Sequence, residues 1–446
     1  MEAPTADLIF ARGQMALSLA FHIVFAAVGV ALPALMVVAE LLYRVTGDEI
    51  YLELAHRWAK GTAILFAVGA VSGTMLSFEL GLLWPRFMAF AGAIIGMPFS
   101  LEGFAFFTEA IFLGIYLYGW ERVSARVHLL SGLAVTVSGA FSALFVVLAN
   151  AWMNAPSGFK VEGGLPVDIH PLAAMFSPGW AVEVVHVLLS SYLATAAAMA
   201  AVHAALLLRA PHSRFHRAAL GIAMMFAVPA ALLQPLSGDF SARSVALRQP
   251  AKLAALEGQF RTERGAPLRL GGWPDPAAHT TRYALEIPHG LSFLAFHDLH
   301  AEVRVLDSFP IEERPETRVV HVAFQVMVGA GSALALVALW WGAAWWRRRS
   351  AGRSMPYPNE DRTLLWAIAL TGPLGFLALE AGWAVTEVGR QPWIVYGIIR
   401  TGAAVTPVAG LATPFVLVGV VYLGLGIVVA VLLGRLFLKT GAAHVE

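Results

Sequence analysis

The sequence contains no cysteine. Disulfides, iron–sulfur clusters, thioether-attached haem and thiolate zinc sites are thereby excluded, so any metal must be held by His, Met or carboxylate. Charge is scarce as well: Asp, Glu, Lys and Arg make up 13% of 446 residues, about half the fraction usual in a soluble domain. The net charge of +1 with His neutral gives no global field that would attract nucleic acid or a strongly acidic partner. The N-terminus lacks a basic flank, and no small-residue cleavage site follows the first apolar stretch, which is too long for a signal segment. That stretch is read as a retained membrane span.

What the chain has is apolar residues, 58% of the total. About 20 of them in a row carry a helix across a hydrocarbon core of roughly 30 Å. Runs of that kind predict an all-α integral membrane protein of about nine transmembrane helices, near residues 16–43, 61–84, 101–120, 129–153, 182–208, 217–237, 319–346, 364–387 and 413–438. Residues 239–318 form one long hydrophilic segment between the sixth and seventh spans, dividing the chain into 1–238, 239–318 and 319–446. Loops of that length are usually functional or disordered, and QPAKLAALEGQF (249–260) within it has an amphipathic look. Lys and Arg gather after the odd spans, most densely at Arg347, Arg348 and Arg349. The opposite short segments hold Arg12, Arg86, Lys160, Arg390 and Arg400. The positive-inside rule then places the N-terminus and the long loop outside and the C-terminus in the cytoplasm.

An ionisable or ligand-type group inside hydrocarbon is costly unless paired, protonated or bound, so each is a candidate site residue. His22 lies in the first span and His186 near the outer end of the fifth; each alone reads more often as a hydrogen-bonded core histidine than as a ligand. Met327 in the seventh span reads alone as packing. Glu102 and Glu109 are seven apart in the third span, which puts them on one helix face about 10 Å apart along the axis, a spacing suited to a proton relay. A buried carboxylate paired with an arginine is the alternative there. Glu387 ends the eighth span and runs into GRQPW, with Arg390 close by. In the predicted topology His22, Glu102, His186, Met327 and Glu387 fall towards the outer side, and Glu109 lies deeper.

The strings AGWAVTE–GRQPW, LANAWMNAP, ARGQMALSLAFH and TGAAVTP, with the contexts of His186 and Met327, resemble cytochrome bd-type quinol oxidase subunit I in order and spacing over nearly the whole chain. The resemblance implies His186 and Met327 as the axial ligands of a low-spin haem b, and His22 and Glu387 as ligands of two high-spin haems, in either order. These would be a haem b and a haem d, or a further haem b. It also implies Trp383 among the haems, Arg12 and Arg390 as partners for haem propionates, and Lys252 with Glu257 in KLAALE at a quinol headgroup. A solvated surface pair is the alternative for those two. Glu109, Ser142 and Glu102 would carry protons from the cytoplasm to the oxygen site; Lys60 and Asn150 match family positions too. Gln325 stands where a familiar branch has Arg, and SFELGLLWPRF around Glu79 is closer to the cyanide-insensitive branch.

The implied protein is the haem-bearing catalytic subunit of a bacterial or archaeal oxidase in the cytoplasmic membrane. It would oxidise quinol outside and reduce O2 to water with protons from inside, building proton motive force without pumping. Its partners would be a second large subunit (subunit II), small single-span subunits and membrane lipid, with no nucleic acid. Ubiquinol and menaquinol are not distinguished. The rival reading from composition alone is a proton-coupled secondary transporter.

Overall fold

A chain this poor in charge must satisfy its backbone polar groups internally, which a helix does within a single segment. The computed structural model describes residues 5–351 and 361–443. Its helices in chain order are α1 (Thr5–Thr46), α2 (Glu49–Leu83), α3 (Pro85–Tyr118), α4 (Ala125–Asn154), the short α5 (Pro171–Met175), α6 (Trp180–Arg209), α7 (Arg214–Arg248), α8 (Pro250–Glu257), α9 (Gly290–Phe296), α10 (Thr317–Ser350), α11 (Arg362–Thr371), α12 (Leu374–Gly389), α13 (Thr401–Ala404) and α14 (Ala412–Ala443). Among the described residues nine helical crossings are long and apolar enough to span a membrane, with α11 and α12 together forming the eighth.

Several helices run past the limits that hydrophobicity predicts. α1 begins at Thr5 rather than residue 16, α3 at Pro85 rather than 101, and α7 continues to Arg248, so the long connection starts at Gln249. The extensions of α1 and α7 carry polar residues that bond to protein, whereas that of α3 is apolar and packs through Phe87, Phe90, Ala91, Ile94 and Ile95 in one core with Trp84 and Trp152. Asp7 on α1, for example, accepts from the backbone N–H groups of Gly410 (3.0 Å) and Leu411 (2.9 Å) just before α14, satisfying donors that a helix start leaves free.

Small residues set how closely the crossings approach. α6 buries Ala194, Ala196, Ala197, Ala200, Ala201 and Ala204. Gly375 of α12 lies against Ala194, and a Cβ on Gly372, at the α11–α12 break, would collide with Ala197 and Ala201. Pro373 follows Gly372 and caps α12, where a missing N–H costs nothing.

The segment between α7 and α10 folds over α8. Leu253 packs with Ala266, Leu291, Ala295 and Val303, while Leu256 and Phe260 pack with Leu306, Val320 and Val385. Every residue from Ala251 to Glu257 is buried. The helix expected near 249–260 is therefore present but not amphipathic: its polar side chains are covered by protein. Gly258 ends it with φ +59°, a left-handed conformation in which a Cβ would be strained and would strike Thr281.

Candidate functional site

His22 and His186 are held by the same device. His186 Nδ1 on α6 lies 2.9 Å from Ser237 Oγ on α7, whose hydroxyl donates to the Gln234 carbonyl (2.9 Å). The serine hydrogen being used, its oxygen accepts from Nδ1–H, and the lone pair of the ring is left on Nε2. The Gln234 amide donates toward that nitrogen at 3.2 Å. His22 Nδ1 on α1 lies 3.0 Å from Ser72 Oγ on α2, and Ser72 donates to Val68 O (2.9 Å). Fixing one ring nitrogen by an outer partner is how proteins aim the other at a metal. A Cβ on Gly73 would sit 2.9 Å from His22 Cε1, so glycine admits the ring there.

Met327 on α10 brings its thioether against α12, with Sδ 3.1 Å from where a Cβ on Gly382 would stand. On the same helix Trp383 packs with Ile23, Ala27, Ala194 and Leu379, between α1 and α6. One turn on, Glu387 Oε1 accepts from Asn150 Nδ2 (2.6 Å) and Oε2 from Arg390 Nη2 (2.5 Å). Arg390 is 1% exposed, yet its Nε and Nη1 have no partner among the described residues. Two buried guanidinium N–H groups left over beside a carboxylate fit a further anionic oxygen ligand. Arg12, by contrast, is exposed on α1.

Lys252 and Glu257 are each 4% exposed, which removes the solvated-pair alternative. Five residues on one helix set them about 140° apart around its axis, and they turn to different neighbours. The Lys252 stem lies over Gly389, whose Cβ would fall 2.9 Å from Lys252 Cε, and Nζ donates to Thr386 O (3.3 Å). Burial pushes the ammonium down to about 8; Glu183 and Glu387 oppose this and Arg390 adds to it. Glu257 Oε2 has no partner among the described residues. Burial pushes that carboxyl up to about 8, against the pull of Arg269. Arg269 belongs to the covering segment, which α10 fastens: Gln325 accepts from Gly271 N (2.9 Å) and donates to Arg269 O (3.0 Å), while His321 meets Leu256 O (2.7 Å) and Gly271 O (3.0 Å). In place of a charge, Gln325 supplies this backbone clamp.

Glu102 on α3 accepts from Ser142 Oγ on α4 at 3.1 Å. Glu109 is 5% exposed, and its carboxyl lies against Gly29 of α1 and Gly139 of α4. The two carboxylates share a face of α3 as their spacing predicts. Lys60 is exposed on α2.

The donor set fits iron held in a porphyrin. The imidazole lone pairs at Nε2 and the thioether against glycine would each offer such a group a single ligand, and among the described residues no three of His, Asp and Glu converge on one point. A porphyrin brings its own four nitrogens and asks the protein for one or two more ligands.

Sequence reasoning missed the partners. Ser72 and Ser237 carry no ligand signature, and their roles appear only when two helices face each other. Asn154, Gln249, Arg269 and Gln234 were also missed. Gln14 and Ser18, both 2.9 Å donors to buried Glu79, recur at four-residue intervals before His22; that periodicity was the available signal.

Three comparisons bear on this arrangement. Residues 10–441 match the family described as cytochrome bd terminal oxidase subunit I. A putative cytochrome bd menaquinol oxidase subunit I from Bacillus subtilis is 37% identical over 438 residues, covering 97% of each chain. A cytochrome bd ubiquinol oxidase subunit 1 from the same organism is 31% identical, covering 98% of this chain and 95% of that one. The solved structure of bd oxidase from Geobacillus thermodenitrificans superposes with a TM-score of 0.89 at 39% identity, covering 97% of this chain and 98% of that chain.

Proposed function

The chain belongs to the cytochrome bd terminal oxidase subunit I family, and from that membership we propose how its residues divide the work. It is the catalytic subunit of a terminal quinol oxidase, an integral membrane protein for which the family implies haem cofactors, quinol as substrate and a subunit II partner.

His186 and Met327 hold a low-spin haem b, the imidazole through Nε2. His22 and Glu387 hold the two high-spin haems, a haem b and either haem d or a further haem b, and Arg390 and Arg12 meet their propionates. When bound, these groups supply electron transfer and the reduction of dioxygen to water. The remaining steps fall to the chain. Residues 239–318 form the quinol-oxidising unit, with 1–238 and 319–446 as the membrane parts on either side. Glu257, buried beside Arg269, accepts a proton from the quinol hydroxyl, and Lys252, stretched over Gly389, orients the headgroup. Trp383, between α1 and α6, lies where electrons pass between the haems. Glu109, Ser142 and Glu102 hold and pass protons toward the oxygen site. Quinol protons leave outside and consumed protons come from the cytoplasm, so the membrane is charged without a pump.

The observation that supports this reading is that His22 and His186 each have Nδ1 beside a serine hydroxyl whose own hydrogen is used, which leaves Nε2 as the lone-pair nitrogen of each ring. Reduced-minus-oxidised spectra of the assembled oxidase test it. His186→Ala and Met327→Leu should each abolish the low-spin bands, and His22→Ala and Glu387→Ala should each remove one high-spin contribution. An unchanged spectrum in all four would sink the assignment.

A further inference from the structure

Between the start of α8 and Glu387 the hydrogen bonds all run one way. Gln249, which closes α7 and opens α8, donates from Nε2 to Asn154 O (3.0 Å) and Asn154 Oδ1 (3.3 Å). Asn154 donates from Nδ2 to Asn150 Oδ1 (3.0 Å) and to Glu183 Oε2 (3.4 Å). Asn150 donates from Nδ2 to Glu387 Oε1 (2.6 Å). The carboxylate fixes this order, because it can only accept. Asn150 must turn its nitrogen to it, which leaves the Asn150 oxygen for Asn154, and the Asn154 oxygen for Gln249.

Three amides in series therefore point their donor ends at one carboxylate. Asn154 and Gln249 are 5% and 3% exposed, and in such surroundings each bond polarises the next, by about 10–30% per bond. The series also spans two functional elements: one end is the residue that caps the helix carrying Lys252, the other a carboxylate on α12.

We propose that Asn154 is a positioning residue that couples the quinol-site helix α8 to Glu387 through the Gln249–Asn154–Asn150 series. This rests on the reading of Glu387 as a haem ligand. With the series intact, electron density on the carboxylate is drawn toward the amides. A displacement of α8 stretches the Gln249 bonds, relaxes the series and returns density to Glu387, which then favours ferric iron. Coupling of this kind is reciprocal, so the redox state at Glu387 alters quinol affinity in turn.

The test uses the assembled oxidase with Asn154→Leu, which removes both amide links, and Gln249→Glu, which removes the donor at nearly unchanged size. Redox titration followed optically should show the haem lost in Glu387→Ala shifted to lower potential by roughly tenfold in its redox equilibrium, about 59 mV for one electron. The His186–Met327 bands should stay in place, which also reports an intact fold. A quinol analogue that cannot be oxidised should perturb the Glu387 haem band in the wild type and not in either variant. Wild-type potential and wild-type response in both variants, with that haem still lost in Glu387→Ala, would overturn the coupling alone. Full haem bands in Glu387→Ala would overturn the ligand reading and the coupling with it.

Discussion

At the scale of single residues, environment rather than identity separates the working groups from the rest. Lys252 and Glu257 look like an ordinary exposed pair in sequence, but both are buried, and both are brought to about 8 from opposite directions. A carboxyl raised to that value is protonated below it and becomes a base as pH rises through it. Quinol oxidation should therefore increase with pH through about 8, and Glu257→Gln should slow it by roughly a hundredfold and flatten the rise. Stopped-flow rates between pH 6.5 and 9.5 would check this; a variant that keeps the wild-type slope would clear Glu257 of that role. The motif positions themselves were legible, since KLAALE, GRQPW and the His186 and Met327 contexts are local strings. The serines behind the histidines were not, because their function lies in a helix pair and not in their own spacing.

At the scale of elements, hydrophobic runs found the nine crossings among the described residues and misjudged many ends: α1 and α7 continue as helix where polar side chains find protein partners, and α3 where apolar ones pack on protein. Burial against protein also hid the nature of α8, whose polar residues predicted a wet face: Lys252 lies against α12, Gln249 bonds to Asn154 of α4, and Glu257 lies beside Arg269 of the covering segment. Packing between α8 and α12 is tight enough to test. A Cβ on Gly389 would fall 2.9 Å from Lys252 Cε and 3.0 Å from Cγ, so Gly389→Val must displace that stem. Oxidase activity at limiting quinol should fall about tenfold, equivalent to roughly 1.4 kcal/mol of activation free energy, with haem content unchanged. Loss of haem together with activity would show instead that the α12 end had been disturbed.

At the scale of the whole molecule, family membership sets aside the transporter reading, which composition had left open. Orientation is the global property still carried by charge alone, through the basic groups after the odd crossings. Arg347, Arg348 and Arg349 form the last turn of α10. With the long connection between α7 and α10 outside, a protease added to intact spheroplasts should cut within 263–316, and a tag at the C-terminus should become accessible only after lysis; the opposite pattern would invert the proposed sidedness. One feature of the bundle bears on how the protein is handled. Phe104, Phe107 and Ile111 are exposed on α3, but they fall on the face of the helix away from Glu102 and Glu109, and Glu109 lies against Gly29 and Gly139, so the helix itself stands between the two carboxyls and that exposed flank. Stripping lipid from that flank should therefore bare aromatic rings and leave both acids sheltered.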